Sequence, residues 1–130
     1  MQRIIGHFEE LHFTESNLGP PALGAVTMRV PVTGLLPLKG HPLENGIFRL
    51  LAGDLVFVGV TKSARKLTEY IGDPRHPQGF KPERLVVDVD SPAVQADGVR
   101  FLFEGILQEP VAWVDWEVVA AGFEFHCSNC

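Results

Sequence analysis

The chain has 130 residues, 45% of them apolar, and a formal net charge of −5 from 11 basic and 16 acidic residues. That length suits one domain with a full core, so neither disulfides nor a structural metal is needed to hold it together. Lys62, Arg65 and Lys66 are the nearest thing to a basic cluster, which argues against nucleic-acid binding, and no run approaches the roughly 18 apolar residues of a membrane-spanning helix.

The Met1–His7 run lacks the apolar centre of a signal peptide and turns acidic at Glu9 and Glu10, so the cytoplasm is the expected compartment. Along the chain the apolar pattern repeats mostly every two residues, the period of a strand. Ile4 to Phe13 is expected as a strand, with His7 and His12 on opposite faces. Asn17 to Gly24, which carries Gly19-Pro20-Pro21, reads as a loop. Ala25 to Thr33 follows as a strand that lies at an edge or bends, because Pro31 removes a ladder donor. Leu35 to Gly46 reads as a loop. Ile47 to Ala52 and Leu55 to Thr61 flank Gly53-Asp54, a hairpin signal. The competing reading makes Leu43 to Ala52 a short helix capped by Gly53.

Lys62 to Ile71 is the best helix candidate, because Ala64, Leu67 and Ile71 recur at helical spacing and Gly72-Asp73-Pro74 would end it; being short, it is otherwise one or two turns or another strand. Asp73 to Pro82 reads as a loop. Leu85 to Val89 is a Val-rich strand, and Ser91 to Gly98 is a loop. Val99 to Leu107 and Val111 to Val119 are strands separated by Gln108-Glu109-Pro110, and Phe123 to Cys127 is a last strand. Together these point to a mainly β protein over residues 1–130: an antiparallel β-sandwich or barrel of about seven or eight short strands with at most one or two short helices. An α+β fold is the alternative.

Each run that could carry chemistry also has a plainer reading. His126-Cys127-Ser128-Asn129-Cys130 has the Cys-x-x-Cys spacing of zinc and redox sites, with His126 as a third ligand. A structural zinc needs about four ligands and no second pair exists, so exposed thiols on a frayed tail, residues 126–130, are expected instead. Asp88, Asp90 and Asp97 surround the Ser91 to Gly98 loop as hard ligands of a calcium site would, yet the EF-hand spacing is not met. Alternation explains Asp88 and Asp90 as the wet face of a strand.

On the Val111 to Val119 strand, Trp113, Asp115 and Glu117 share one face, and Val114, Trp116 and Val118 share the other, which reads as core. A neighbouring strand carries Glu104. An aromatic ring beside carboxylates suits a sugar-binding or acid–base cleft, and equally a solvated outer face. His41 and His76 each precede a proline in a loop, where they could meet at one rim or simply serve turn chemistry. No nucleotide-binding loop, His-Glu-x-x-His or Gly-x-Ser-x-Gly is present, so no cofactor is expected.

The functional expectation is a non-catalytic binding or assembly module that self-associates, with a dimer favoured, or binds a protein or small ligand. Trp113 is the ligand-binding candidate. Neither nucleic acid nor a membrane is expected as a partner. The first alternative is an acid–base enzyme (hydrolase, isomerase or lyase) using Glu104, Asp115 or Glu117 with His41 or His76. The second is a metal-binding protein built on His126, Cys127 and Cys130. No metal is favoured by the residue spacing.

Overall fold

The computed structural model describes residues 2–73, 75–91, 98–108 and 111–130. The chain is mainly β, as its alternating pattern requires. Its strands are β1 (Gln2–Ile5), β2 (Leu11–His12), β3 (Asn17–Leu18), β4 (Ala22–Leu23), β5 (Thr27–Pro37), β6 (Leu51–Val58), β7 (Lys62–Asp73), β8 (His76–Phe80), β9 (Arg84–Asp90), β10 (Val99–Gln108), β11 (Val111–Ala120) and β12 (Gly122–Cys127). They make one mixed sheet in the order β1-β12-β6-β5-β3-β10-β11-β7-β8, with β2 and β4 paired to β5 and β9 paired to β7. The sheet does not close into a barrel, which removes that alternative. No helix among the described residues is long and apolar enough to cross a membrane.

The sheet has two halves that share one core. The parallel pairing of β3 with β10 joins them. Phe57 of β6 lies 5.6 Å from the Phe101 ring and 5.7 Å from the Phe103 ring of β10, so the β12-β6-β5 half faces the β10-β11 half. Phe123 and Phe125 from β12, Met28 and Val30 from β5, and Val114, Trp116 and Val118 from β11 complete the buried cluster. The inward parity of Val114, Trp116 and Val118 is the one that alternation implies.

Several expectations fail, each for a local reason. Ile4 to Phe13 is not one strand. Gly6 and His7 both take positive φ and turn the chain into a 3₁₀ turn over Phe8–Glu10, which leaves only β1 and β2 extended. β5 is not an edge strand, since β6 pairs along one side and β2, β3 and β4 along the other; of the two expectations at Pro31 it is the irregularity that is found, as a register shift against β6 between Val32 and Leu35. Pro31 is tolerated because it falls in the gap between β4, opposite Met28 and Arg29, and β3, opposite Val32 and Thr33.

Gly53-Asp54 does not turn a hairpin, and Leu43 to Ala52 is not a helix. Gly53 lies inside β6, opposite Cys127. A Cβ there would sit 2.0 Å from the His126 carbonyl oxygen, so the glycine marks close backbone approach rather than a turn.

Lys62 to Ile71 follows the strand alternative, not the favoured helix. Ser63, Arg65 and Leu67 point inward and Lys62, Ala64, Lys66 and Thr68 outward, so two of its three core positions are polar and hide the period of two. The expected loop Asp73 to Pro82 contains β8, and the expected loop Asn17 to Gly24 contains β3 and β4, both paired to β5. Asp88 is not on a wet face: its side chain points inward to Ser63 and Arg65 and is only 7% exposed. A bulge against Ser63 and Ala64 then carries Asp90 to the other face, opposite Lys62.

Residues 126–130 are tied down rather than splayed as a tail. His126 and Cys127 belong to β12, and Cys127 is buried and disulfide-bonded to Cys130. The Ser128 amide donates to the Ala52 carbonyl at 2.8 Å, and the Asn129 side-chain amide donates to the Leu50 carbonyl at 3.2 Å. The cysteines are therefore not exposed free thiols. With the disulfide formed, neither sulfur is available to a metal.

Candidate functional site

The outer face of β10, β11 and β7 gathers most of the residues with chemistry. Antiparallel register sets them in rows, because residues directly opposite one another share a face. One row runs Leu102, Glu117, Ala64; the next runs Glu104, Asp115, Lys66; the third runs Ile106, Trp113, Thr68. Beyond Thr68, Tyr70 stands opposite Phe80 of β8. Sequence parity brings Trp113, Asp115 and Glu117 to one face, and the β10–β11 pairing puts Glu104 beside Asp115.

Two hollows lie on this face. The first, about 460 Å³, is bordered by Glu104, Asp115 and Glu117 together with Leu102, His12 and Thr14. The Thr14 hydroxyl donates to Glu104 Oε1 at 3.2 Å and closes one side. Glu117 is held by Lys62 Nζ at 2.8 Å and by Arg100. Hydrogen bonds from Lys62 and then Arg100 keep its carboxyl below the usual carboxylate range, so it stays ionised and paired. Lys66 Nζ bonds Glu83 at 3.0 Å rather than its cross-strand neighbour Asp115.

The second hollow, about 360 Å³, is lined by Trp113, Tyr70, Phe80 and Thr68. The Tyr70 and Phe80 rings lie 5.7 Å apart and inclined at 54°. Phe80 is 57% exposed. Tyr70 and Phe80 are not among the residues that the sequence singles out. Their role depends on β7 and β8 being strands; the one available signal is the alternation of Thr68 and Tyr70 across a run whose apolar residues sit at helical spacing.

The other candidates stand apart from this face. His76 opens β8, exposed and opposite Asp73, while His41 is buried in a different setting, so the two histidines do not form a shared rim. His126 contacts Glu124 on its own strand and Arg29 on β5. Asp88 is paired, Asp90 is exposed, and Asp97 lies outside the described residues. Among the described residues, no three His, Cys, Asp or Glu side chains are arranged to hold a metal ion.

His41 is the unusual titratable group. The Leu43 amide donates to its Nδ1 at 3.1 Å, which puts the neutral ring's proton on Nε2, and that atom is buried with no partner among the described residues. The His7 ring lies 5.8 Å away, with His7 in a left-handed conformation and bonded to Glu10. Burial first, and then the charge of His7, hold the His41 pKa below its ordinary value of 6.5, against a smaller opposing pull from Glu10.

The unfolded chain therefore takes up this proton at higher pH than the folded one. The contribution of neutral His41 is full above 6.5 and is lost as pH falls through 6.5 toward the lowered folded value. Melting curves from about pH 7.5 to about pH 5.5 are expected to fall by a few degrees more for the native chain than for His41→Gln. Parallel curves would sink this assignment.

Comparison with known proteins finds no matching family model, no matching curated protein and no matching solved structure. The site's own geometry is what bears on function.

Proposed function

We propose that this protein is a non-catalytic binding module that takes a small ligand on the outer face of β10, β11, β7 and β8. One observation carries the reading: three rings from three strands, Trp113, Tyr70 and Phe80, line one hollow on a rigid sheet face. Aromatic side chains supply much contact area at little entropic cost, and a sheet fixes them in place.

The acid–base reading is the second, favoured by the meeting of Glu104, Asp115 and Glu117 at one cleft. It ranks lower because Glu117 is ionised and tied to two cations, which leaves it a poor proton donor or acceptor. His12, not His41 or His76, is the histidine at that cleft.

Self-association belongs to the same proposal. Among the described strands β9 has β7 as its one partner, and Leu85 and Val87 beside that edge are 67% and 52% exposed. Light scattering at micromolar concentration is expected to give a dimer mass, and a monomer removes this part. The proposed compartment is the cytoplasm. The Cys127–Cys130 disulfide counts against it, because cytoplasmic thiol buffers keep cysteines reduced.

One experiment tests both readings of the site. A soluble fragment library is screened by amide NMR shifts, and perturbations are expected to cluster at Lys66–Tyr70, Phe80 and Trp113–Asp115. Shifts scattered elsewhere would remove the binding proposal. Conversion of a fragment during the screen, abolished in Asp115→Asn, would transfer the assignment to the acid–base enzyme.

A further inference from the structure

We infer that the Trp113, Tyr70 and Phe80 hollow is a site for an organic cation, a methylated ammonium group seated over the rings with its charge balanced by Asp115. The inference rests on the binding-module reading and names the ligand class for it. The hollow measures about 360 Å³, at the low end of ligand sites, so it suits one head group rather than an extended chain. It is lined by three aromatic residues and Thr68. Aromatic faces carry the negative part of the ring quadrupole and attract a cation, most strongly for Trp.

The surroundings have the matching sign. Asp115 is two residues along β11 from Trp113 on the same face, and Glu104 stands opposite Asp115. Lys66, the cation opposite Asp115, is hydrogen-bonded to Glu83 on the far side of β7 and is also attracted by Asp115, so a ligand cation would share Asp115 with it. The whole chain carries a net charge of −5, which favours the approach of cations. A sugar fits less well, because the hydroxyls of Thr68 and Tyr70 and the indole N–H of Trp113 are the few polar side-chain groups among the lining residues to meet a ring of hydroxyls.

The test titrates the whole protein with choline and with 3,3-dimethyl-1-butanol, its neutral isostere, reading Trp fluorescence and amide shifts. Choline is expected to bind roughly five- to thirtyfold tighter than the isostere, the fold-change that corresponds to about 1–2 kcal/mol of cation–π attraction. Phe80→Ala and Trp113→Phe are expected to weaken choline several-fold while leaving the thermal midpoint nearly unchanged. Asp115→Asn is expected to weaken choline and leave the isostere unaffected.

Equal affinity for choline and the isostere overturns the cation assignment and leaves the binding module standing. Binding of a small saccharide with none of choline also overturns it. No perturbation at Trp113, Tyr70 or Phe80 by either probe, or by any fragment, overturns both.

Discussion

Arg65→Met is expected to lower the unfolding free energy by roughly 3–5 kcal/mol, the cost of leaving a buried carboxylate without its cation. Arg65 reaches Asp88 through two bonds, Nη2 to Oδ1 at 2.7 Å and Nε to Oδ2 at 3.0 Å. The side chains are 12% and 7% exposed, so water screens the pair little and would solvate the orphaned Asp88 poorly. The Ser63 hydroxyl donates to the same carboxylate at 3.0 Å and accepts from Trp116 Nε1 at 2.9 Å, and the Arg65 guanidinium lies 5.1 Å over the Trp116 ring. One cation therefore satisfies a carboxylate and caps the largest core side chain together.

Urea unfolding of three variants separates these effects. The double variant Arg65→Met with Asp88→Leu is expected to recover about half of the loss, because neither charge then remains buried. What stays lost is the acceptor for the Ser63 hydroxyl, about 1–3 kcal/mol. Lys66→Ala breaks an exposed pair, 51% and 58% exposed, and is expected to cost under about 1 kcal/mol. A single variant no worse than Lys66→Ala would mean that Asp88 is solvated in the native state.

This buried pair also explains what can be read from the sequence. β9 is legible from its valines despite its bulge, and β10, β11 and β12 are legible within a residue or so because their patterns are regular, with apolar core positions such as Phe101, Phe103, Leu107 and Val114, Trp116, Val118. β7 is not, because Ser63 and Arg65 fill two of its core positions and their satisfaction by Asp88 and Trp116 is a tertiary fact. Asp88 misleads for the same reason: alternation identifies its face but not that the face carries a cation. β8 escapes because Pro77 and Gly79 sit in a short exposed strand at the end of the sheet order.

The candidate site divides along the same line. Glu104, Trp113, Asp115 and Glu117 are legible as neighbours from parity and the adjacent hairpin. Tyr70 and Phe80, and the polar contact from Thr14 to Glu104, enter only through pairings between distant segments, which no local pattern encodes. The terminal cysteines are legible as a motif, whereas their pairing depends on Ser128 and Asn129 being anchored to Leu50 and Ala52.

The facing of the two sheet halves gives the second large effect. Phe57→Ala is expected to cost roughly 3–5 kcal/mol by urea unfolding. Phe57 is fully buried, and its ring lies 5.2 Å from Phe123 within its own half and 5.6 and 5.7 Å from Phe101 and Phe103 across the core. Truncation opens a cavity walled by three rings, each already fixed by its own strand, so collapse can relieve little of it. The urea slope is expected to stay near the native value, since the same surface is exposed on unfolding. Leu102→Ala, at a side chain 57% exposed on the outer face, is expected to stay within about 0.5 kcal/mol. Phe57→Ala combined with Phe103→Ala should cost less than the sum of the two, by about 0.5–3 kcal/mol, because both remove one contact across the core. Strict additivity would mean that β6 and β10 do not share a core, and the stacking of Phe103 on Trp116 at 5.2 Å would then belong to a separate cluster.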